Sequence, residues 1–145
     1  MSEGPAAGAA SPALPTPIRP DGWPRPGGYA DGVAASGRLL VTAGMIGWDP
    51  RTMRLAGADF VAQVRQALAN VMDVVRAAGG GPEHLVRLTW YVTDRDAYLA
   101  GRAAIGEAYR DVVGRHFPAM AVVVVAALLE PGALVEIEAT AVLPA

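Results

Sequence analysis

A chain of 145 residues with 52 % hydrophobic content can bury one core and reads most simply as a single domain. Its 12 Lys and Arg against 14 Asp and Glu give a net charge of −2 without a basic cluster, which argues against nucleic acid as the main partner. Cysteine is absent, which excludes disulfides, thiolate catalysis and Cys-ligated metals, and the two histidines, His84 and His116, are too isolated to suggest any metal site.

Residues 1–20 are rich in Ala, Pro, Gly and Ser and show no hydrophobic period. Such a segment cannot bury enough apolar surface to offset its ordering entropy. Residues 1–28 are therefore expected to form a largely mobile leader, with Trp23 able to pack on the body, and residues 29–145 a single folded domain. No charged start precedes an apolar stretch, and the longest apolar run, residues 119–129, is too short to span a bilayer as a helix. The expectation is a cytoplasmic protein with no membrane partner.

Residues 37–47 (GRLLVTAGMIG) predict a strand. Asp49, Pro50, Arg51 and Thr52 are a turn signal, and residues 53–55 can return as a short hairpin partner. Phe60, Val64, Ala67, Leu68, Val71, Val74, Val75 and Ala78 then recur at helical spacing, with Gln63, Arg65, Gln66, Asn70, Asp73 and Arg76 on the polar side. Gly79, Gly80 and Gly81 end that helix. Residues 86–93 alternate, with Val86, Leu88, Trp90 and Val92 pointing one way and Arg87, Thr89, Tyr91 and Thr93 the other. Thr93 followed by Asp96 suggests a variant capping box. A second helix should run to about residue 113, with Tyr98, Ile105, Tyr109 and Val112 on its inner side. Two final strands flank a turn at Pro131 and Gly132.

The order is β-β-α-β-α-β-β, and two helices can cover only one face of such a sheet. In the last strand Val135, Ile137, Ala139 and Ala141 would meet the helices, while Leu134, Glu136, Glu138, Thr140 and Val142 share the other face. A half-apolar sheet face left uncovered predicts an oligomer.

Several segments, in this order and spacing, match a known pattern. Gly28-Tyr29 resembles a G-P-Y-S element, residues 42–46 (TAGMI) an S-G-Q-I strand end, and residues 66–70 (QALAN) a Q-A-L-x-N helix motif. Residues 89–94 (TWYVTD) resemble a strand-to-helix corner, Pro118-Ala119 the start of P-A-R-S, and residues 134–139 (LVEIEA) the last strand. Together they resemble the RidA (YjgF-type) family of small enamine/imine deaminases. The resemblance implies an α+β, RidA-like (chorismate-mutase-like) fold with a mixed sheet and two helices on one face. It also implies a homotrimer with ligand clefts between subunits, and no bound cofactor.

In that family an arginine grips the carboxylate of a 2-imino acid, a glutamate on the last strand handles the attacking water, and a tyrosine lines the cleft. Carried over, the glutamate is Glu136, the expected catalytic residue, and the tyrosine is Tyr29. The arginine position holds Met120, and the usual Gln after the strand-end glycine is Met45, which implies a more apolar cleft. Tyr29, Ala43, Gly44, Met45, Trp48, Tyr91 and Met120 make up the expected substrate-binding set.

Other readings of these residues stand beside this one. Glu136 and Glu138 can serve as interface carboxylates, Met120 as core filler, and Trp48 as a packing aromatic. Asp96 is explained by helix capping alone. Arg115 and His116 could bring a relocated positive charge to the cleft or form an exposed loop pair, and Arg87 could pair with Glu136 or Glu138 of a neighbour.

The expected function is processing of a small reactive enamine or imine, by hydrolytic deamination or related acid/base chemistry, on a substrate other than the standard 2-imino acid. The alternatives are a non-catalytic small-molecule-binding or chaperone-like trimer, and a pathway-specific biosynthetic enzyme for a cyclisation or dehydration. Ribonuclease activity is disfavoured by the acidic balance of the chain.

Overall fold

The computed structural model describes residues 13–145. Strands β1 (Thr16–Ile18) and β2 (Gly32–Ala34) form a small antiparallel ribbon. Strands β3 (Arg38–Val41) and β4 (Met45–Ile46) precede a short hairpin of β5 (Trp48–Asp49) and β6 (Arg54–Leu55). Helix α1 (Phe60–Ala77) and a 3-10 turn (Pro82–His84) lead into β7 (Leu85–Val92). Helices α2 (Arg95–Ala100) and α3 (Arg102–Val112) then precede β8 (Ala119–Val124) and β9 (Val135–Leu143).

The main sheet runs β3-β9-β7-β8, with β4 also on β9. Among the described strands only β7 and β8 pair in parallel, and the helices between them form the crossover that parallel pairing needs. The helices lie on one face. Val135, Ile137, Ala139 and Ala141 of β9 are buried there with Val64, Leu68, Val71 and Val75 of α1. Leu68 is fully buried, and its truncation to Ala should cost about 2–5 kcal/mol. The opposite sheet face carries no helix among the described residues and exposes Leu39 and Val41.

Four local expectations are revised. The strand expected over residues 37–47 is broken at Thr42–Gly44. The Thr42 hydroxyl donates to the Ala43 carbonyl at 2.8 Å and accepts from the Ala139 N–H at 3.0 Å. A side chain thus stands in for a backbone carbonyl, and Ala43 and Gly44 leave the ladder. The second helix is two pieces meeting at Gly101, and Asp94, not the Thr93–Asp96 pair, caps the first by accepting from the Ala97 N–H at 2.9 Å.

Gln63, expected on the polar side of α1, is fully buried. Its amide donates to the Gly57 carbonyl (2.7 Å) and the Gly132 carbonyl (3.0 Å) and accepts from the Leu134 N–H (2.8 Å), so it clamps α1 to the loop before β9. Finally, β1 lies inside the stretch expected as leader. Its pairing with β2 starts ordered structure ahead of Tyr29, while Trp23 is exposed and residues 1–12 lie outside the described residues.

Candidate functional site

Apart from Met45 and Trp48, the expected site residues fall into two groups on opposite faces of the sheet. Side chains of laterally paired residues share a face. Met120 and Val122 pair with Leu88 and Trp90, which point into the core, so they lie on the helix side. Glu136 pairs with Tyr91 and with Ile46, on the open side.

On the open side, Gly44 and Glu136 touch. A Cβ built on Gly44 would run into the Glu136 carboxylate, whose Cδ would be only 2.7 Å away. The bulge at Thr42 creates this approach, because it lifts Gly44 out of the ladder beside Glu136. The neighbouring carboxylate, Glu138, accepts a hydrogen bond from the Tyr91 hydroxyl at 2.8 Å. That bond, with smaller contributions from burial and the charges of Glu138 and Glu136, raises the Tyr91 pKa above its ordinary value. Glu136 has no hydrogen-bonded or ion-paired partner among the described residues. A shallow cavity of about 470 Å³ on this face is lined by Val41, Arg87, Tyr91, Glu138 and Thr140. Arg87 makes no ion pair with either glutamate within the chain.

On the helix side, the Ala30 N–H donates to the Pro118 carbonyl at 3.0 Å, and Ala30 bridges Ala119 in parallel. This docks Tyr29 beside Met120. Both line a cavity of about 750 Å³ between β8, α3 and residues 27–29. Sequence reasoning missed its other walls: Trp90, Tyr98, Phe117 and two arginines, Arg102 and Arg110. The available signal was the spacing Arg102, Gly106, Arg110, which places all three on one helix stripe.

Two further expectations are corrected. Met45 pairs with buried Ile137 and packs against the core, because its parity on β4 turns it inward. Trp48 pairs with Leu55 in the hairpin and belongs to neither group. Arg115 and His116 line a neighbouring cavity with Arg19, Arg25 and Asp31, which shares Tyr29 and Phe117 with the first, and His116 Nε2 lies 3.0 Å from the Leu85 carbonyl. Ala43 is exposed next to Gly44.

The Q-A-L-x-N motif proves structural. Gln66 donates to Asn70 Oδ1 at 2.9 Å, and Asn70 Nδ2 donates to the carbonyls of Ile46 (3.1 Å) and Trp48 (2.7 Å). It satisfies backbone acceptors at the edge where β4 gives way to the hairpin. No cluster of three or more His, Asp or Glu side chains is placed to hold a metal among the described residues.

A four-strand path with one parallel edge, a single layer of helices on one face and an unpartnered carboxylate on the other defines a small α+β protein of the RidA/YjgF type. The family model described as Endoribonuclease L-PSP matches residues 24–143, and the chain belongs to that family. It is 38% identical over 119 residues to a RutC family protein of Synechocystis, covering 81% of this chain and 88% of the relative. It is also 38% identical over 116 residues to the 2-iminobutanoate/2-iminopropanoate deaminase of Salmonella typhimurium, covering 80% of this chain and 88% of that protein. The crystal structure of the Rid-family protein YyfB of Yersinia pestis, whose function is unknown, superposes with a TM-score of 0.79 at 36% identity, covering 90% of this chain and all of that one. No helix among the described residues is long and apolar enough to cross a membrane.

Proposed function

We propose that this protein processes a reactive enamine or imine in a cleft completed by a second copy of the chain, with Glu136 as the general acid/base. Water adds to the C=N carbon while the Glu136 carboxylate takes its proton. Glu136 returns that proton to the nitrogen to give a carbinolamine, then takes the carbinolamine hydroxyl proton and passes it to the amine nitrogen, and ammonia leaves as the C–N bond breaks and the carbonyl forms. The observation that carries the reading is the state of Glu136: it is half-buried, lies against Gly44 and is unpartnered, whereas its neighbour Glu138 is occupied by Tyr91. The names of the deaminase relatives point the same way.

Glu136 and the Tyr29/Met120 group lie on opposite sheet faces, so one ligand can meet both only across a subunit boundary. The exposed Leu39 and Val41 supply an apolar face for that assembly, and a homotrimer is the arrangement the family resemblance implies. With Met120 at the usual arginine position, the substrate departs from a small 2-imino carboxylate.

The test is hydrolysis of imines generated in situ by an amino-acid oxidase, read by competition with semicarbazide. Wild type should accelerate hydrolysis, and Glu136→Gln should abolish the acceleration while the oligomer persists in sedimentation. Equal rates for the two proteins would remove Glu136 from the mechanism. A second reading, a trimer that binds a small molecule without turnover, is favoured by the uncharged Met120, and binding without turnover of any imine would establish it.

A further inference from the structure

We propose that the cavity between β8 and α3 anchors a carboxylate with a bulky, aromatic body, held by Arg102 and Arg110 in place of the charge that Met120 lacks. The role of this ligand as substrate rests on the function proposed above; its binding does not.

Arg102, Gly106 and Arg110 stand at i, i+4 and i+8 on α3, and all three line the cavity. Gly106 leaves its own position on the stripe bare. A Cβ there would stand 3.2 Å from Arg110 Nη1, so the Arg110 guanidinium lies back along the helix over the glycine. Neither Arg102 nor Arg110 makes an ion pair among the described residues, whereas Arg65 reaches Asp111 on the same helix at 3.0 Å. Two unpaired guanidiniums on one wall suit a carboxylate, which their planar forks can bind bidentately.

The other walls select the body of the ligand. Tyr109 and Phe117 stack with ring centroids 5.3 Å apart, and Trp90, Tyr98 and Met120 extend the apolar lining. Such walls disfavour a strongly hydrated polyanion and favour an aromatic group. Trp90 is only 3% exposed and contributes a largely buried aromatic wall.

Calorimetric titration of the full chain with phenylpyruvate, phenylpyruvate methyl ester and pyruvate tests the assignment. Wild type should bind phenylpyruvate at least about tenfold more tightly than either other probe. Arg102→Gln and Arg110→Gln should each weaken phenylpyruvate about tenfold and leave the ester unchanged, while Arg65→Gln should match wild type. Equal affinity for acid and ester, no binding of the acid, or a double Arg→Gln variant that binds like wild type would overturn the proposal. Arginine-dependent binding without turnover of the corresponding imine would sink the deaminase reading and keep this one. Undiminished turnover of that imine in the double variant would do the reverse.

Discussion

The Glu136 carboxylate occupies the space in which a side chain at Gly44 would stand. Glycine at position 44 is thus a requirement of the site rather than of the turn. Gly44→Ala should push the carboxylate aside and lower imine turnover about tenfold or more, since small misplacements of a catalytic group are expensive. Thermal stability should change little, because Gly44 is exposed and outside the ladder. Steady-state kinetics beside a melting curve separates the two effects, and unchanged turnover would show that Glu136 need not hold this position.

The open sheet face provides a second test. Leu39 and Val41 are 67% and 64% exposed there. Val41→Asp should place a charge in the subunit contact and dissociate the oligomer, with loss of turnover, while the far-UV circular dichroism stays native. An assembled Val41→Asp protein in analytical ultracentrifugation would show that the contact lies elsewhere.

Tyr91 and Tyr109 should titrate late, for different reasons. Tyr91 is held up mainly by its bond to the Glu138 carboxylate, and Tyr109 by burial, which pushes its hydroxyl well above the usual range. A raised folded-state pKa means that the folded state holds the proton more tightly. The associated stabilisation is full below the ordinary value of 10.0 and is lost as pH rises through the folded value. In absorbance titration, Glu138→Gln should return Tyr91 toward 10.0 and leave Tyr109 unmoved.

Asn70 carries a structural cost that its exposed-looking helix position hides. Asn70→Leu would strip donors from the carbonyls of Ile46 and Trp48, and should destabilise the protein by about 1–3 kcal/mol in urea unfolding. Faster hydrogen exchange should concentrate in residues 45–49.

Met120→Arg should add a guanidinium beside Tyr29, in a cavity that already holds Arg102 and Arg110. Turnover of small 2-imino carboxylates should rise, as the small acid gains a local anchor. Turnover of bulky substrates should fall, because the longer side chain takes their space. No gain on small acids would mean that position 120 does not meet the reacting end of the substrate.

Most of the scaffold was legible because it rests on local period. The alternation of β9, with Val135, Ile137, Ala139 and Ala141 inward and Glu136 and Glu138 outward, matches the buried pattern residue for residue. The inner stripe of α1 was legible in the same way, with one exception. Gln63 looked solvated because its three partners, at Gly57, Gly132 and Leu134, include two nearly half the chain away. The break at Thr42 was hidden too, since the bond that replaces the ladder comes from Ala139.

The sequence by itself determined the order of the long elements α1, β7, β8 and β9, the alternation within β7 and β9, and the family. Periodicity is a short-range property, so neighbouring residues are enough to express it. Only the tertiary structure decided that Glu136 and Met120 lie on opposite faces, that Met45 turns into the core, and that Arg102 and Arg110 reach the cavity of Tyr29. Each depends on register between strands, or on which helix stripe meets which sheet edge. Those relations are set by packing between segments distant in the chain, and a one-residue shift in pairing would reverse them.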